Sequence, residues 1–248
     1  MLSIKDLSKK YSNNFWGIQN FDLELKEKEL VSIVGPNGSG KTTIINCLLG
    51  VISPTKGTLS LYGQKNNTKK FKEYIAYVPD ELLLIESLTG KEYINFVKSM
   101  YQNVNDEKIK KLVQIYNMAE AMEQIIKNYS HGMKKKLQLI AAFMLEGKLM
   151  VLDEPFRGLD VESIITTKKM LRKFLKDGKS ILMSTHDLLL ADSLSDRIVI
   201  ISKGRKVAEN TSNILKKEYN CNSLEEVFIK ASLDKSRSDK IDEVINNL

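Results

Sequence analysis

Eight residues, Gly35-Pro-Asn-Gly-Ser-Gly-Lys-Thr42, constrain this chain more than any other feature. They fit Gly-x4-Gly-Lys-[Ser/Thr] at every fixed position. The apolar run Leu30-Val-Ser-Ile-Val34 leads into them, and a helix-like stretch from Ile44 to Leu49 follows. The composition suits one chemistry. Glycines let successive backbone N–H groups curl around a phosphate, and the following helix presents its positive N-terminal end. Lys41 can reach the β- and γ-phosphates, and the Thr42 hydroxyl is a ligand for Mg²⁺. An ordinary Gly-rich turn lacks the strand before and the helix after. Gly35, Pro36, Asn37, Gly38, Ser39, Gly40, Lys41, Thr42 and Thr43 are therefore read as a nucleotide phosphate site.

Leu149-Met-Val-Leu-Asp-Glu154 supplies a second half. An apolar strand delivers Asp153 to its C-terminal end, where α/β sheets bind ligands and a carboxylate can hold Mg²⁺. Glu154 adjoins it as a candidate general base for water.

The surrounding pattern is that of a mostly parallel α/β sheet with additions. Leu2–Leu7 and Phe21–Leu25 alternate apolar and polar, the period of half-buried antiparallel strands, and Leu59–Tyr62 reads as another short strand. Leu149–Leu152, Ile181–Met183 and Ile198–Ile201 are short apolar runs separated by helical segments. Between them the chain turns helical. Thr89-Gly-Lys-Glu92 has the form of a capping box and predicts a helix to about Met100, Asn105 predicts a second, and Met133, Leu137, Ile140, Ala141 and Met144 mark the apolar stripe of a third. Ser202-Lys-Gly-Arg205 reads as a hairpin turn.

Composition excludes several classes. Of 248 residues 42% are apolar and 28% charged, which is not the balance of a disordered chain. The net charge of +7 comes with 31 scattered acidic residues, so a solvated mixed surface is expected. Cys47 and Cys221 are too few for a disulfide framework and point to a reducing compartment. The longest apolar run, Leu139–Leu145, is far short of the ~18 residues of a membrane span, and the first residues carry no signal-peptide core. A cytoplasmic protein that does not itself cross a membrane is expected.

With these motifs in order, residues 1 to about 230 resemble the nucleotide-binding subunits of ATP-binding-cassette (ABC) transporters. Tyr129-Ser-His-Gly-Met133 stands where the family has Leu-Ser-Gly-Gly-Gln. Ser130 and Gly132 match, and the departures at Tyr129, His131 and Met133 look like an export-type branch. The resemblance implies that Ser130 and Gly132 close on the γ-phosphate of nucleotide held by a second subunit, and that Asp160 in Gly158-Leu-Asp160 organises the dimer interface. It implies that His186 contacts the γ-phosphate and that Tyr11 stacks on adenine. Where the family usually has a Gln that senses Mg²⁺ and water, this chain has Asp80, in Tyr77-Val-Pro-Asp80. A carboxylate can ligate the metal more strongly, but its charge repels γ-phosphate.

Lys69-Lys-Phe-Lys72 reads as a solvated face, and Lys134-Lys-Lys136 as a helix surface near the shared phosphate site. Neither interleaves aromatics as a single-strand groove would. Cys47 reads as small apolar packing. The four apolar residues Leu82–Ile85 admit subdomain packing, a buried strand, or an apolar groove for a membrane subunit.

The expected architecture is a P-loop NTPase core with an antiparallel β-subdomain and an inserted helical subdomain at about 82–147. The cassette spans 1–231 and a polar tail 232–248. The expected activity is Mg²⁺-dependent ATP hydrolysis that powers separate membrane-spanning permease subunits, as in an exporter, from the cytoplasmic face of the membrane. Lys41, Glu154 and His186 are the catalytic candidates, Thr42, Asp80 and Asp153 the metal candidates, and a homodimer or heterodimer of cassettes the working unit. A regulatory module with little hydrolysis is the main alternative, suggested by Asp80 and the altered signature. A soluble cassette ATPase acting on nucleic acid is the other, but one cassette without long insertions gives it little support, and no nucleic-acid partner is expected.

Overall fold

The structure, a computed structural model, describes residues 1–12, 15–101 and 104–232. The tail expected over 232–248 therefore lies, apart from Ser232, outside the described residues. The chain divides into two compact units, one comprising Met1–Leu25, Glu29–Asn66 and the chain from Ser184 on, the other Lys26–Lys28 and Asn67–Met183.

In the first unit the period-two segments form the strands expected of them. β1 (Leu2–Lys10) and β2 (Trp16–Leu25) pair antiparallel, with Leu2 opposite Leu25 and Ile4 opposite Leu23. The alternation of β1 slips after Ile4, where Asp6 takes a φ of 50° and the register shifts, so that Leu7 rejoins the buried face opposite Phe21. β3 (Leu30–Val34) is buried at every position, Ser32 included, as its near-continuous apolar run predicts. It is followed by α1 (Lys41–Leu48), β4 (Lys56–Leu61) and the short β5 (Gln64–Lys65). These complete an antiparallel sheet in the order β2-β1-β4-β5.

The second unit opens with α2 (Lys69–Glu73) and β6 (Ile75–Val78). α2 was not expected, because five residues with one buried side chain, Phe71, give no period to read. Thr68 caps it by accepting from Phe71 N at 3.2 Å. α3 (Gly90–Ser99) begins at the Thr89 box, whose Oγ1 accepts from Glu92 N while Thr89 N donates to Glu92 Oε2 at 2.8 Å. α4 (Asp106–Ile115) is capped by Asn105, and two 3-10 turns, Glu120–Glu123 and Ile126–Asn128, lead into α5 (His131–Phe143). β7 (Leu149–Asp153) runs parallel to β6, and α6 (Val161–Lys176) follows.

In β8 (Ser180–Thr185) the chain passes back to the first unit, which adds α7 (Leu188–Leu194), β9 (Arg197–Ser202), β10 (Arg205–Asn210), α8 (Ser212–Glu218) and α9 (Leu224–Ser232). β9 is parallel to β3 and forms a hairpin with β10, turned by Lys203 and Gly204 at φ 48° and 72°. Val34, Ala191, Ile198, Ile200, Leu215, Leu224 and Val227 form a core under β3 and the C-terminal helices.

Two expectations need correction. The run Lys134–Lys136 is not a simple helix surface, because Lys135 is fully buried and Lys134 and Lys136 are each ion-paired, with Glu86 and Asp160. Leu82–Ile85 is not a buried strand: the segment carries no regular structure, and Leu83 is 68% exposed and Ile85 40%. Cys47 is buried as expected, and burial pushes its thiol pKa up.

Candidate functional site

The first unit carries the phosphate loop. α1 starts after Gly40, whose φ of 113° and whose approach to Gly17 O, 2.4 Å from any Cβ placed there, admit only glycine. No side chain caps α1 and its first turn holds no acidic residue, whereas α2 to α8 all begin under a side-chain cap. The positive helix end is thus left to face the loop. Lys41 is buried, and its Nζ donates to Gly35 O at 2.7 Å and Pro36 O at 3.2 Å, which holds the ammonium inside the curve of the loop. The Ser39 hydroxyl is buried beside Gly35 with no hydrogen-bond partner among the described residues, while Ser39 N donates to Pro36 O. An uncapped helix end, a buried ammonium and an unpaired hydroxyl around one glycine-rich turn fit a phosphate chain.

Tyr11 is 39% exposed, so it is not a core tyrosine. It packs on Gly17, its hydroxyl lies 3.2 Å from Thr43 Oγ1, and its ring stands 6.3 Å from that of Phe15. His186, at the end of β8, lines a pocket of about 180 Å³ with Gly35, Pro36, Leu188 and Phe228. Phe228 comes from α9. Its place beside the loop depends on α9 folding back, which no local pattern announces.

The second unit carries the acidic groups. β7 buries Asp153 to 3% exposure, and Glu154 follows with a φ of 46°. A left-handed Glu costs about 1–2 kcal/mol, the kind of backbone strain that collects at working sites. A carboxylate at a strand end is a hard oxygen donor of the kind Mg²⁺ takes. Tyr77 on β6 feels this charge. Burial and then the carboxylates of Asp153, Asp80 and Glu81 push its phenol pKa up.

Asp80 follows β6. Its carboxylate accepts from Arg157 Nη1 at 3.1 and 3.3 Å. Behind it, α5 grips the backbone. Lys135 Nζ donates to Pro79 O at 2.7 Å and Asp80 O at 3.3 Å, and Gln138 Nε2 to Glu81 O at 2.8 Å. Burial lowers the Lys135 pKa to about 8, against the opposing pull of Asp80 and Asp153. Sequence reasoning missed Arg157, Lys135 and Gln138. For the last two a signal existed, since Lys135, Gln138, Leu139 and Ala142 recur at helical spacing and are all buried.

Ser130 is the N-cap of α5, its Oγ accepting from Met133 N at 3.2 Å. This segment lies against the loop after Glu154. A Cβ on Gly132 would stand 3.0 Å from Gly158 O, and one on Gly158 2.2 Å from His131 Nδ1. Asp160 caps α6 through Ser163 N at 2.7 Å and pairs with Lys136 at 3.0 Å. The Ser163 bonds and then Lys136 bring its pKa down to about 2. The expected residues are thus shared out: Tyr11, the phosphate loop and His186 in the first unit, Asp80, Ser130, Gly132, Asp153, Glu154 and Asp160 in the second.

Comparison with known proteins agrees with this chemistry. A family model described as "ABC transporter" matches residues 18–157. The chain is 30% identical over 224 residues to the ABC-type transporter ATP-binding protein EcsA of Bacillus subtilis, covering 88% of this chain and 90% of that protein. It is 30% identical to the SkfA peptide export ATP-binding protein SkfE of the same organism, over 83% of this chain and 87% of that one. Among solved structures, one described as the ATP binding subunit of an ABC transporter superposes with a TM-score of 0.87 at 28% identity, over 93% of this chain and 99% of the other. An ATP-binding cassette in a dimeric post-hydrolysis state bound to ADP and Pi shares the fold at a TM-score of 0.77 and 23% identity, over 85% of this chain and 98% of the other.

Proposed function

The chain belongs to the ABC transporter family, and from that premise we propose that it powers separate membrane-spanning permease subunits by closing head to tail on a second cassette around ATP. As an ABC ATP-binding subunit it is an ATPase. The observation that carries the reading is the Lys41 ammonium buried under the Gly35 and Pro36 carbonyls at an uncapped helix end, a built receptor for polyphosphate.

In this reading the amides of residues 35–43 and Lys41 hold the phosphates, and Tyr11 offers its exposed ring to adenine. Thr42 and Asp153 hold Mg²⁺, which when bound neutralises phosphate charge. Glu154, held at a left-handed φ of 46°, takes the proton of the attacking water. His186 orients the γ-phosphate. Ser130 and Gly132 serve the nucleotide of the partner cassette, identical or homologous. The likeness to a peptide export protein supports export. Among the described residues no helix is long and apolar enough to cross a membrane, so attachment to the cytoplasmic face falls to a permease, for which Leu83 and Ile85 offer an exposed apolar contact.

The test is Glu154→Gln. ATP binding is expected within about twofold of the parent, turnover to fall by a factor of about 10² or more, and an ATP-dependent dimer to accumulate on size-exclusion chromatography. Turnover within about twofold of the parent overturns the assignment of Glu154.

A further inference from the structure

Three carboxylates of the second unit, Asp80, Asp153 and Glu154, all bear on the buried Lys135. Such a cluster around a polyphosphate repels it unless something offsets the charge. Among the described residues Lys135 and Arg157 both bond to Asp80, and they are used differently. Lys135 donates to the backbone, to Pro79 O and Asp80 O, while Gln138 takes the next carbonyl, that of Glu81. Three successive carbonyls are thereby held by one helix, which fixes the turn and the direction in which Asp80 leaves it. Of these two, Arg157 is the one that reaches the side chain, with Nη1 within 3.3 Å of both carboxylate oxygens. It comes from the short segment between Glu154 and Gly158, so the carboxylate is tied to the loop that follows the candidate general base.

From this arrangement we propose that Arg157 is a positioning residue that occupies and neutralises the Asp80 carboxylate, so that Asp80 and Arg157 together present a neutral polar pair and withhold Asp80 from the metal. The proposal rests on the ATPase reading above and deepens it by naming the residue that sets the metal affinity of that site. Arg157 and a divalent cation compete for the same oxygens. Releasing the carboxylate therefore has two opposite effects: the metal gains a ligand, and the nucleotide without metal meets an uncompensated negative charge. A residue that served only to keep the loop folded would weaken both kinds of binding together.

Arg157 is 63% and Asp80 30% exposed at the side chain, so their pair is screened and worth a factor of about two to five. The experiment uses the full chain with ADP, which is not turned over, and Mn²⁺ as the probe, titrated by electron paramagnetic resonance, with metal-free ADP affinity measured by calorimetry in EDTA. For Arg157→Ala, Mn²⁺ affinity of the ADP complex is expected to tighten about two- to fivefold and metal-free ADP affinity to weaken by a similar factor. Adding Asp80→Gln to Arg157→Ala is expected to return both towards the parent. Unchanged or weaker Mn²⁺ binding in Arg157→Ala, or a double variant that keeps the single variant's behaviour, overturns the proposal. A parent chain that binds no ADP overturns the ATPase reading instead and takes this proposal with it.

Discussion

Lys135 gives the fold a pH dependence that can be measured directly. Its side chain is fully buried, and burial lowers its pKa from 10.5 to about 8. In the unfolded chain the same lysine titrates near its ordinary value, so between the two values the unfolded state binds more protons than the folded state. Stability must therefore rise with pH across that window, the reverse of what a surface lysine with an acidic partner produces. With one pKa unit worth about 1.4 kcal/mol, the gain between pH 7 and pH 9.5 comes to about 2 kcal/mol, and the full shift to about 3. Lys135→Met keeps the apolar stem and removes the titrating group. It leaves Pro79 O and Asp80 O without this donor, but that cost does not depend on pH. The assay is urea unfolding followed by far-ultraviolet circular dichroism at both pH values, read as the parent-minus-variant difference so that groups common to both cancel. The difference should move in favour of the parent by about 2 kcal/mol on going to pH 9.5. The same pH dependence in parent and variant would falsify the claim that a charged lysine is confined there.

Two further perturbations test the packing and the partner. Gly158→Ala puts a Cβ at φ 77° and 2.2 Å from His131 Nδ1, so it should cost about 1–2 kcal/mol from the backbone alone and lower turnover more than nucleotide affinity; adding His131→Ala should recover the steric part, and no recovery would refute the packing. Leu83→Asp changes a side chain that is 68% exposed, so unfolding free energy should stay within about 0.5 kcal/mol and ATP affinity within about twofold, while co-purification with the permease in detergent falls; undiminished co-purification would remove Leu83 from the contact.

What could be read in the sequence was whatever is settled within a few residues along the chain. The phosphate loop depends on its own amides and on the helix it opens, the Thr89 and Asn105 caps bond to amides two or three residues ahead, and β3 and β7 announce their burial by mostly apolar composition. The slip of β1 at Asp6 was not legible, because a bulge is chosen by the register of both neighbouring strands. The destinations of long side chains were not legible either. Arg157 meets Asp80 across 77 residues of chain, and Lys135 reaches Pro79 O across 56. Read locally, Lys134–Lys136 is a basic run and Leu82–Ile85 an apolar one. Tertiary structure buried the middle lysine and left Leu83 in solvent, because a buried charge is tolerated where carbonyls stand ready to receive it, and an apolar side chain stays outside where the loop that carries it has its backbone tied elsewhere.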